Sequence, residues 1–568
     1  METKKPSRFE RSVPGIRVAR TYDRSWLRPD LVAGVVLAAI LVPQGMAYAE
    51  LAGLPPVTGL YTTIACLVAY AVFGPSRVLV LGPDSAVSPL IFAAIIPLVA
   101  GGDPATAIAL AGMLAVMVGV IEIGLGLGKL GFVANLLSSE VQVGYMNGLA
   151  IVIVVGQLPK LFGFSTEADG FFAEIQAFIQ GLGQTNTTTL AVGVTVLAVL
   201  LVLPLLTRRV PAVLVGVVGA TIVSAALGLA EKGVATVGSL PQGFPIPAVP
   251  WTSINDVGPL LIAAVGITLV SLTDTIATAT SFAARRGDEV EPDQEMIGMG
   301  AANVVAGFFQ GFAISSSGSR TAVAEQSGAK SQLTGLVGAG LVALLLVFFN
   351  SLLADLPQSA LAAVVIAAAF SLMDWGALVR YSRVRKSALT LSLVATVGVI
   401  LLGVIQGIVL AIVLAVMMFF KRSWWPHGDV LGELEGAGWH SIERYPEARQ
   451  VPDVVVFRWD AALFFANAGS FRQEIRRIVR EDHPSWVVLQ CHAITDIDVT
   501  AGEMLRQLDE ELNAAGVHLA FVEMRSRLQD LALRYGLLET LDREHFYPTL
   551  EAALEAIRAG SCAQQGKR

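Results

Sequence analysis

Apolar runs of about 20 residues, the length a bilayer core demands, recur between residues 31 and 420 and stop there. The pattern predicts spans over 31–50, 57–73, 85–100, 105–125, 141–162, 188–206, 210–229 and 260–284. Further spans follow over 294–309, 318–326, 333–353, 357–375, 387–402 and 405–420. That is about fourteen, and the third and tenth are too short to cross alone. Both follow a break in the pattern: Gly82-Pro83-Asp84 precedes one, and the serine run Ser315-Ser316-Ser317 precedes the other. They hold equivalent places in two seven-span halves. Short, interrupted spans at corresponding positions mark a midplane binding site, and an inverted repeat would turn their N-termini toward each other.

Charge placement tests the count. With the N-terminus inside, Arg77, Lys129, Arg208, Arg209, Arg285, Arg286, Lys330, Arg380, Arg383, Arg385, Lys386, Lys421 and Arg422 fall on inner loops. Outer loops keep Lys160 and Lys232, as the positive-inside rule expects. Eight basic residues precede Asp30 (Lys4, Lys5, Arg8, Arg11, Arg17, Arg20, Arg24 and Arg28), and no short apolar segment with a cleavage site follows them. Trp424-Trp425 after Lys421-Arg422 reads as an interfacial anchor.

After Pro426 the texture changes. Of 39 Lys and Arg residues 15 lie beyond Arg422, and all six His (427, 440, 483, 492, 518 and 545) lie there too. Residues 454–459, 486–491 and 517–524 read as buried strands, and 471–480, 500–515 and 525–534 carry helical spacing. Alternation of this kind predicts a small α/β domain. The expected divisions are an N-terminal segment 1–29, a transmembrane domain 30–422, a linker 423–450, the α/β domain 451–560 and a tail 561–568.

Composition agrees: 54% of residues are hydrophobic and 15% charged, far from the quarter typical of soluble domains. The three cysteines (Cys66, Cys491, Cys562) are too scattered for a disulfide framework or metal site, no glycine-rich phosphate loop occurs, and nucleic acid is not an expected partner. No cofactor and no metal are expected. With no nucleophile–base constellation among the spans, an enzyme is the least supported class.

Arg320 is the leading candidate for chemistry. Lipid cannot hydrate a guanidinium, so an intramembrane arginine usually faces a site. It follows Gly318 and Ser319, whose amides at a helix start would add donors and partial positive charge for an anion. The bland alternative is a buried arginine neutralised by a carboxylate. Asp274, within 260–284, is the natural counter-charge. It forms either a permanent salt bridge or a proton carrier that responds to the anion; both readings stay open. Pro43 and Gly45 break the first span, and Gln44 and Tyr48, spaced i, i+4, share a face that could line a cavity or simply join helices. Ser85 and Ala86 are the small residues opening the third span, with Asp84 a possible cap. Glu50, Glu122, Glu140 and Glu325 read as interfacial or capping residues.

Leu41-Val-Pro-Gln-Gly-Met-Ala-Tyr-Ala49, followed by Leu54-Pro-Pro-Val-Thr-Gly-Leu-Tyr61, closely resembles the signature of the sulfate permease family. Gly82-Pro-Asp-Ser-Ala86, Gln294-Glu-Met-Ile-Gly-Met-Gly-Ala-Ala-Asn303 and Ser319-Arg-Thr321 fit the same pattern, so the resemblance spans nearly the whole chain. It implies a polytopic α-helical membrane protein, a seven-plus-seven inverted repeat divided into core and gate domains that move as an elevator. It implies an anion site of Gln44, Tyr48, Ser85, Ala86, Gly318, Ser319 and Arg320, with Asp274 at the acidic eighth-span position as proton-coupling candidate. The tail resembles a STAS domain, in which a Ser or Thr opening a helix is phosphorylated; Thr500 holds that place, and a plain helix N-cap is the simpler role. The family context implies secondary active transport or proton symport of a small oxyanion, sulfate first, in a homodimer of the plasma membrane. The N-terminus and STAS domain would be cytoplasmic, with a cytoplasmic protein as possible STAS partner. Bicarbonate or a dicarboxylate is the alternative cargo, and anion sensing through the STAS domain the alternative role. Two departures stand out: Ala313 replaces the family's proline in Gly311-Phe-Ala313, predicting a looser turn, and Asp274 is shorter than the glutamate of relatives with clear proton coupling.

Overall fold

The computed structural model describes residues 13–99, 102–135, 138–166, 168, 170–207, 210–535 and 545–565. The basic residues Lys4, Lys5, Arg8, Arg11, Arg208 and Arg209 lie outside this set. The chain divides into two units, Met1–Ala415 and Val416–Arg568.

The first unit carries the helices that the apolar pattern predicts. In the first half these are α1 (Leu27–Leu51), α2 (Pro56–Phe73), α3 (Ser88–Ile95), α4 (Pro104–Leu127), α5 (Ser139–Phe162), α6 (Thr187–Leu206) and α7 (Ala212–Leu227). In the second half they are α8 (Val257–Ala284), α9 (Pro292–Phe308), α10 (Gly318–Gln326), α11 (Leu333–Phe348), α12 (Gln358–Leu372), α13 (Lys386–Leu402) and α14 (Val404–Trp424), the last running on into the second unit. Short amphipathic helices, Phe171–Gly181 and Trp375–Val384, separate α5 from α6 and α12 from α13. Among the described residues, seven helical stretches are long and apolar enough to cross a membrane unaided. Large apolar side chains stand exposed on their outer faces, Leu205 at 84% and Ile222 at 62%, as lipid contact requires.

Packing reveals the repeat. Helix α1 packs on α11 as α8 packs on α4; α2 packs on α11 as α9 on α4; α5 packs on α13 as α12 on α6. Each pair becomes its counterpart when seven is added to or taken from the helix number. The same contacts sort the unit into two bodies, a core of α1–α4 with α8–α11 and a gate of α5–α7 with α12 and α13. Small residues make the core tight. A Cβ on Gly119 of α4 would stand 2.5 Å from the Gly300 carbonyl of α9, and one on Gly307 would stand 2.5 Å from the Gly112 carbonyl. Such close backbone approach is how helices associate where lipid removes the hydrophobic drive. The turn at Gly311-Phe-Ala313 is not loose despite the missing proline: Phe312 N donates to Thr62 Oγ1 at 3.1 Å, and Phe312 is fully buried.

The second unit is an α/β sheet in the order β4-β3-β5-β6-β7-β8. Here β3 is Gly428–Leu434, β4 Gly438–Ser441, β5 Val454–Trp459, β6 Trp486–Gln490, β7 His518–Val522 and β8 Phe546–Tyr547. Strands β5 to β8 pair parallel, and the β3–β4 hairpin joins β5 antiparallel. Residues 428–441, expected to be linker, therefore belong to the sheet. Helices α15 (Ala468–Asp482), α16 (Val499–Ala514) and α17 (Ser526–Arg534) cover one face with Val455 and Phe457, and α18 (Leu550–Gln565) covers Val454 and Val456 on the other. Alternation along β5 assigns these residues to opposite faces.

Candidate functional site

The two short helices begin at one place because a two-residue ribbon ties their leading strands together. Strand β1 (Leu81–Gly82) pairs antiparallel with β2 (Ser315–Ser316), Leu81 opposite Ser316 and Gly82 opposite Ser315. Ser317 N donates to the Val80 carbonyl at 3.1 Å, and Val80 N donates to Thr321 Oγ1 at 3.1 Å. From α8, Thr275 Oγ1 accepts Ser316 N at 3.2 Å. The ribbon runs in opposite senses through the two halves, so the N-termini of α3 and α10 converge on it.

A side chain holds the approach to each helix. On the first side, Asp84 Oδ1 accepts Ala86 N at 2.9 Å, and the Asp84 carbonyl accepts Ser88 N at 3.0 Å. The regular helix opens at Ser88, three residues after the predicted start, because Ser85 and Ala86 form the capped turn. On the second side Ser317 is the N-cap, its Oγ accepting Arg320 N at 3.4 Å. Gly318 and Ser319 supply the first two N–H groups of α10, which no carbonyl within the helix can satisfy. A Cβ on Gly318 would find its nearest neighbour, Thr278 Oγ1, only at 4.0 Å, so open space lies before it.

Arg320 is 1% exposed, and none of its three guanidinium nitrogens has a hydrogen-bond partner among the described residues. Its head lies against the ribbon: a Cβ on Gly82 would stand 2.8 Å from Nη1, so the strand passes only because that residue is glycine. Asp84, Tyr48 and Asp274 all lie within the guanidinium's electrostatic reach. No ion pair joins Arg320 to Asp274 among the described residues, so the salt bridge allowed by the sequence is not formed. Asp274 is partly accessible and sits beside Ser315 at the ribbon. An unpaired buried guanidinium costs several kcal/mol, which a bound anion with matching acceptors would offset.

The remaining predicted residues assemble around this centre. Tyr48 is 5% exposed and turns its hydroxyl toward Ser85. One turn earlier, Gln44 has its amide oxygen buried without a partner. Ser85 and Ala86 are buried at the mouth of α3, and Ser319 is exposed at the mouth of α10. Thr500 lies in the other unit and is not an N-cap. Asp498 caps α16, accepting Ala501 N at 2.8 Å, and leaves the Thr500 side chain exposed at the second helical position. Aspartate two residues earlier takes the cap because its oxygen is better placed to receive the N3 amide.

Two readings of the acidic residues need correction or extension. Glu122 is not interfacial: it is fully buried within α4, bonded to Ser271 and Asn303. Glu50 and Glu325 do sit at helix ends, paired with Lys160 at 3.6 Å and Arg286 at 3.1 Å. Sequence reasoning missed Gly82 as the floor under the guanidinium, and Thr275 and Thr321 as its buttresses. A threonine within a span gives no sign of which strand it will hold.

The sulfate permease family profile matches residues 27–395, and the STAS domain profile matches residues 445–553. A probable sulfate transporter of Mycobacterium tuberculosis (strain CDC 1551) is 41% identical over 548 residues, covering 96% of this chain and 98% of its own. Sulfate transporter 4.1, chloroplastic, of Arabidopsis thaliana is 30% identical over 564 residues, with 95% and 82% covered. Among solved structures, murine Solute Carrier 26 family member A9 in the inward-facing state superposes with a TM-score of 0.88 at 23% identity, covering 98% of this chain and 97% of its own.

Proposed function

Because the chain belongs to the sulfate permease family, we propose that it is a secondary transporter of a small inorganic oxyanion, sulfate first. The family and these relatives are transporters, not enzymes. One observation carries the reading: a guanidinium buried to 1% exposure, with each of its nitrogens unpartnered among the described residues, between two helix N-termini. Arg320 and the Gly318 and Ser319 amides donate without accepting, which suits a fully deprotonated oxyanion and would disfavour a neutral solute. Tyr48, Ser85 and the amide group of Gln44 would complete the shell, and Ala86 keeps the opposite wall low.

All these residues sit on α1, α10 and the turn that leads into α3 of the core, so a rigid shift of the core against the gate would carry the anion across as an elevator. Asp274 on α8, close to Arg320 yet unpaired with it, suits a carboxylate that takes a proton when the anion binds and so couples the two. The charge pattern supports an N-terminus and STAS domain on the cytoplasmic side of the plasma membrane. A homodimer, and a cytoplasmic protein bound by the STAS domain, fit the family context.

The test is labelled sulfate uptake into proteoliposomes with and without an inward proton gradient. Uptake driven by the gradient, lost in Arg320→Ala and no longer gradient-dependent in Asp274→Asn, is the expected result. A folded protein that carries no sulfate overturns the cargo assignment, and bicarbonate and dicarboxylates are tried in the same vesicles.

A further inference from the structure

The core buries a second acid that the scheme above leaves idle. Glu122 on α4 is 0% exposed. Asn303 Nδ2 on α9 donates to its Oε2 at 2.8 Å, and Ser271 Oγ on α8 lies 3.1 Å from its Oε1. The Asn303 amide cannot be turned end for end, because its Oδ1 accepts Ile314 N at 2.9 Å and a backbone N–H only donates.

Ser271 is adjustable. Its oxygen lies 3.1 Å from Glu122 and 3.2 Å from the Thr268 carbonyl, and a hydroxyl has one hydrogen to place. Facing a carboxylate, that hydrogen points to Glu122. Facing a carboxylic acid, it turns to the Thr268 carbonyl, and the acid donates its own hydrogen to Ser271 Oγ. Both protonation states are then bonded with no heavy atom displaced. The packing makes this matter: one turn before Glu122, Gly119 and Gly300 bring α4 and α9 so close that a Cβ on Gly119 would stand 2.5 Å from the Gly300 carbonyl.

No cation competes for the site. The elements packed on α4 are α3, α8 and α9. The titratable side chains they carry are Asp274 on α8 and Asp293 and Glu295 at the start of α9; α3 carries none. Asp293 accepts Gly131 N, and Glu295 accepts from Tyr70 and Ser76, so each has donors of its own. Among the described residues, Glu122 has no ion-pair partner.

We propose that Glu122 binds and releases one proton during the transport cycle and positions the anion cradle through its two neighbours. Ser271 lies one turn from Asp274 on the same face of α8. Asn303 holds Ile314, which enters directly into the β2 ribbon beneath Arg320. The O–H bond of Glu122 breaks to give its proton to water and re-forms by taking one back. Loss of the proton turns the Ser271 hydroxyl and charges the carboxylate behind the cradle. Glu122 is thus a positioning residue; it does not touch the anion.

The link to the cycle rests on the anion-transport reading, so the experiment separates the two. Infrared difference spectra of the full-length reconstituted protein are recorded between mildly acidic and mildly alkaline buffer, and with and without sulfate. Glu122→Gln, whose amide can keep both hydrogen bonds, and Asp274→Asn are compared, with uptake measured in the same vesicles. The expected result is a protonated-carboxyl band that responds to pH and to sulfate, is lost in Glu122→Gln and survives in Asp274→Asn. Glu122→Gln should also carry sulfate with a flattened pH profile, which Glu122→Asp partly restores. A band indifferent to pH, or an unaltered pH profile in Glu122→Gln, overturns the inference while leaving transport intact. If the wild type carries no sulfate but the Glu122 band still titrates, the cargo reading fails and the proton site stands.

Discussion

Asp30 and Arg320 are buried to nearly the same degree in one unit, 0% and 1% exposed, and their surroundings could hardly differ more. Asp30, at the head of α1, accepts Lys330 N at 2.7 Å, Ser331 N at 3.1 Å, Ser331 Oγ at 2.7 Å, Thr334 Oγ1 at 3.0 Å and the Tyr22 hydroxyl at 3.1 Å. Those donors include the turn that leads into α11, so the carboxylate ties that turn to α1 across the core. The three guanidinium nitrogens of Arg320 have no hydrogen-bond partner among the described residues. A buried charge saturated by its own protein is a structural joint, whereas one without partners carries an uncompensated desolvation cost, which the proposed anion would offset.

The comparison can be broken at either end. Asp30→Ala strands several buried donors and should lower stability by roughly 3–5 kcal/mol, read as thermal unfolding in detergent, with sulfate giving no special rescue. An unchanged melting temperature would mean the donors find water. Arg320→Ala should behave oppositely: without anion it melts no lower than wild type, because an unpaired charge has been removed. Sulfate at a hundredfold excess over its Kd should stabilise the wild type by about 2.7 kcal/mol and the variant by nothing. Equal protection of both proteins would place the anion elsewhere.

A third charge tests the intermediate case. The Glu50–Lys160 pair at 3.6 Å joins α1 of the core to α5 of the gate, with side-chain exposures of 12% and 36%. The proposed elevator step would part these groups. Lys160→Ala should therefore speed uptake by a fewfold, in keeping with about 1 kcal/mol or less for a half-exposed pair. Slower uptake would show that the pair helps the step instead.

The smallest effect belongs to the surface of the second unit. Glu511 on α16 is held below the usual carboxylate range, chiefly by its hydrogen bond from Arg476 and also by Arg472. A carboxyl depressed in the folded state adds stability above its unfolded pKa, and that contribution fades as pH falls through the folded value. With solvent screening the gain is about 1 kcal/mol at most. Hydrogen exchange along α15 and α16 should accelerate in acid more steeply in wild type than in Glu511→Gln; parallel pH dependences would dismiss the pair as a stabiliser.

Much of the architecture was legible before any coordinates. Hydropathy located all fourteen helices, and the two broken spans pointed at the ribbon region, because lipid forces backbone groups into helices and tolerates irregular chain only around a cavity. In the tail, alternation located β5, β6 and β7, but the β3–β4 hairpin passed for linker: its strands are only half-buried and so lack a clear apolar period. Thr500 looked like a cap because a hydroxyl at a helix start usually is one, and sequence could not show that Asp498 already held the position. Glu122 was misplaced because five residues separate it from the end of α4, and a depth of that kind depends on where the helix packs.

What the chain determines by itself is the set of spans and the presence of an arginine among them, since these follow from transfer energies summed over local windows. Pairing is different. That Arg320 escapes Asp274, that Gly82 makes way for it, and that Ser271 and Asn303 meet Glu122 all depend on contacts between residues distant in sequence. A carboxylate with a partner and one without are written with the same letter. Only the three-dimensional packing of α4, α8, α9 and the β1–β2 ribbon decides which charges are satisfied, and so which are free to bind.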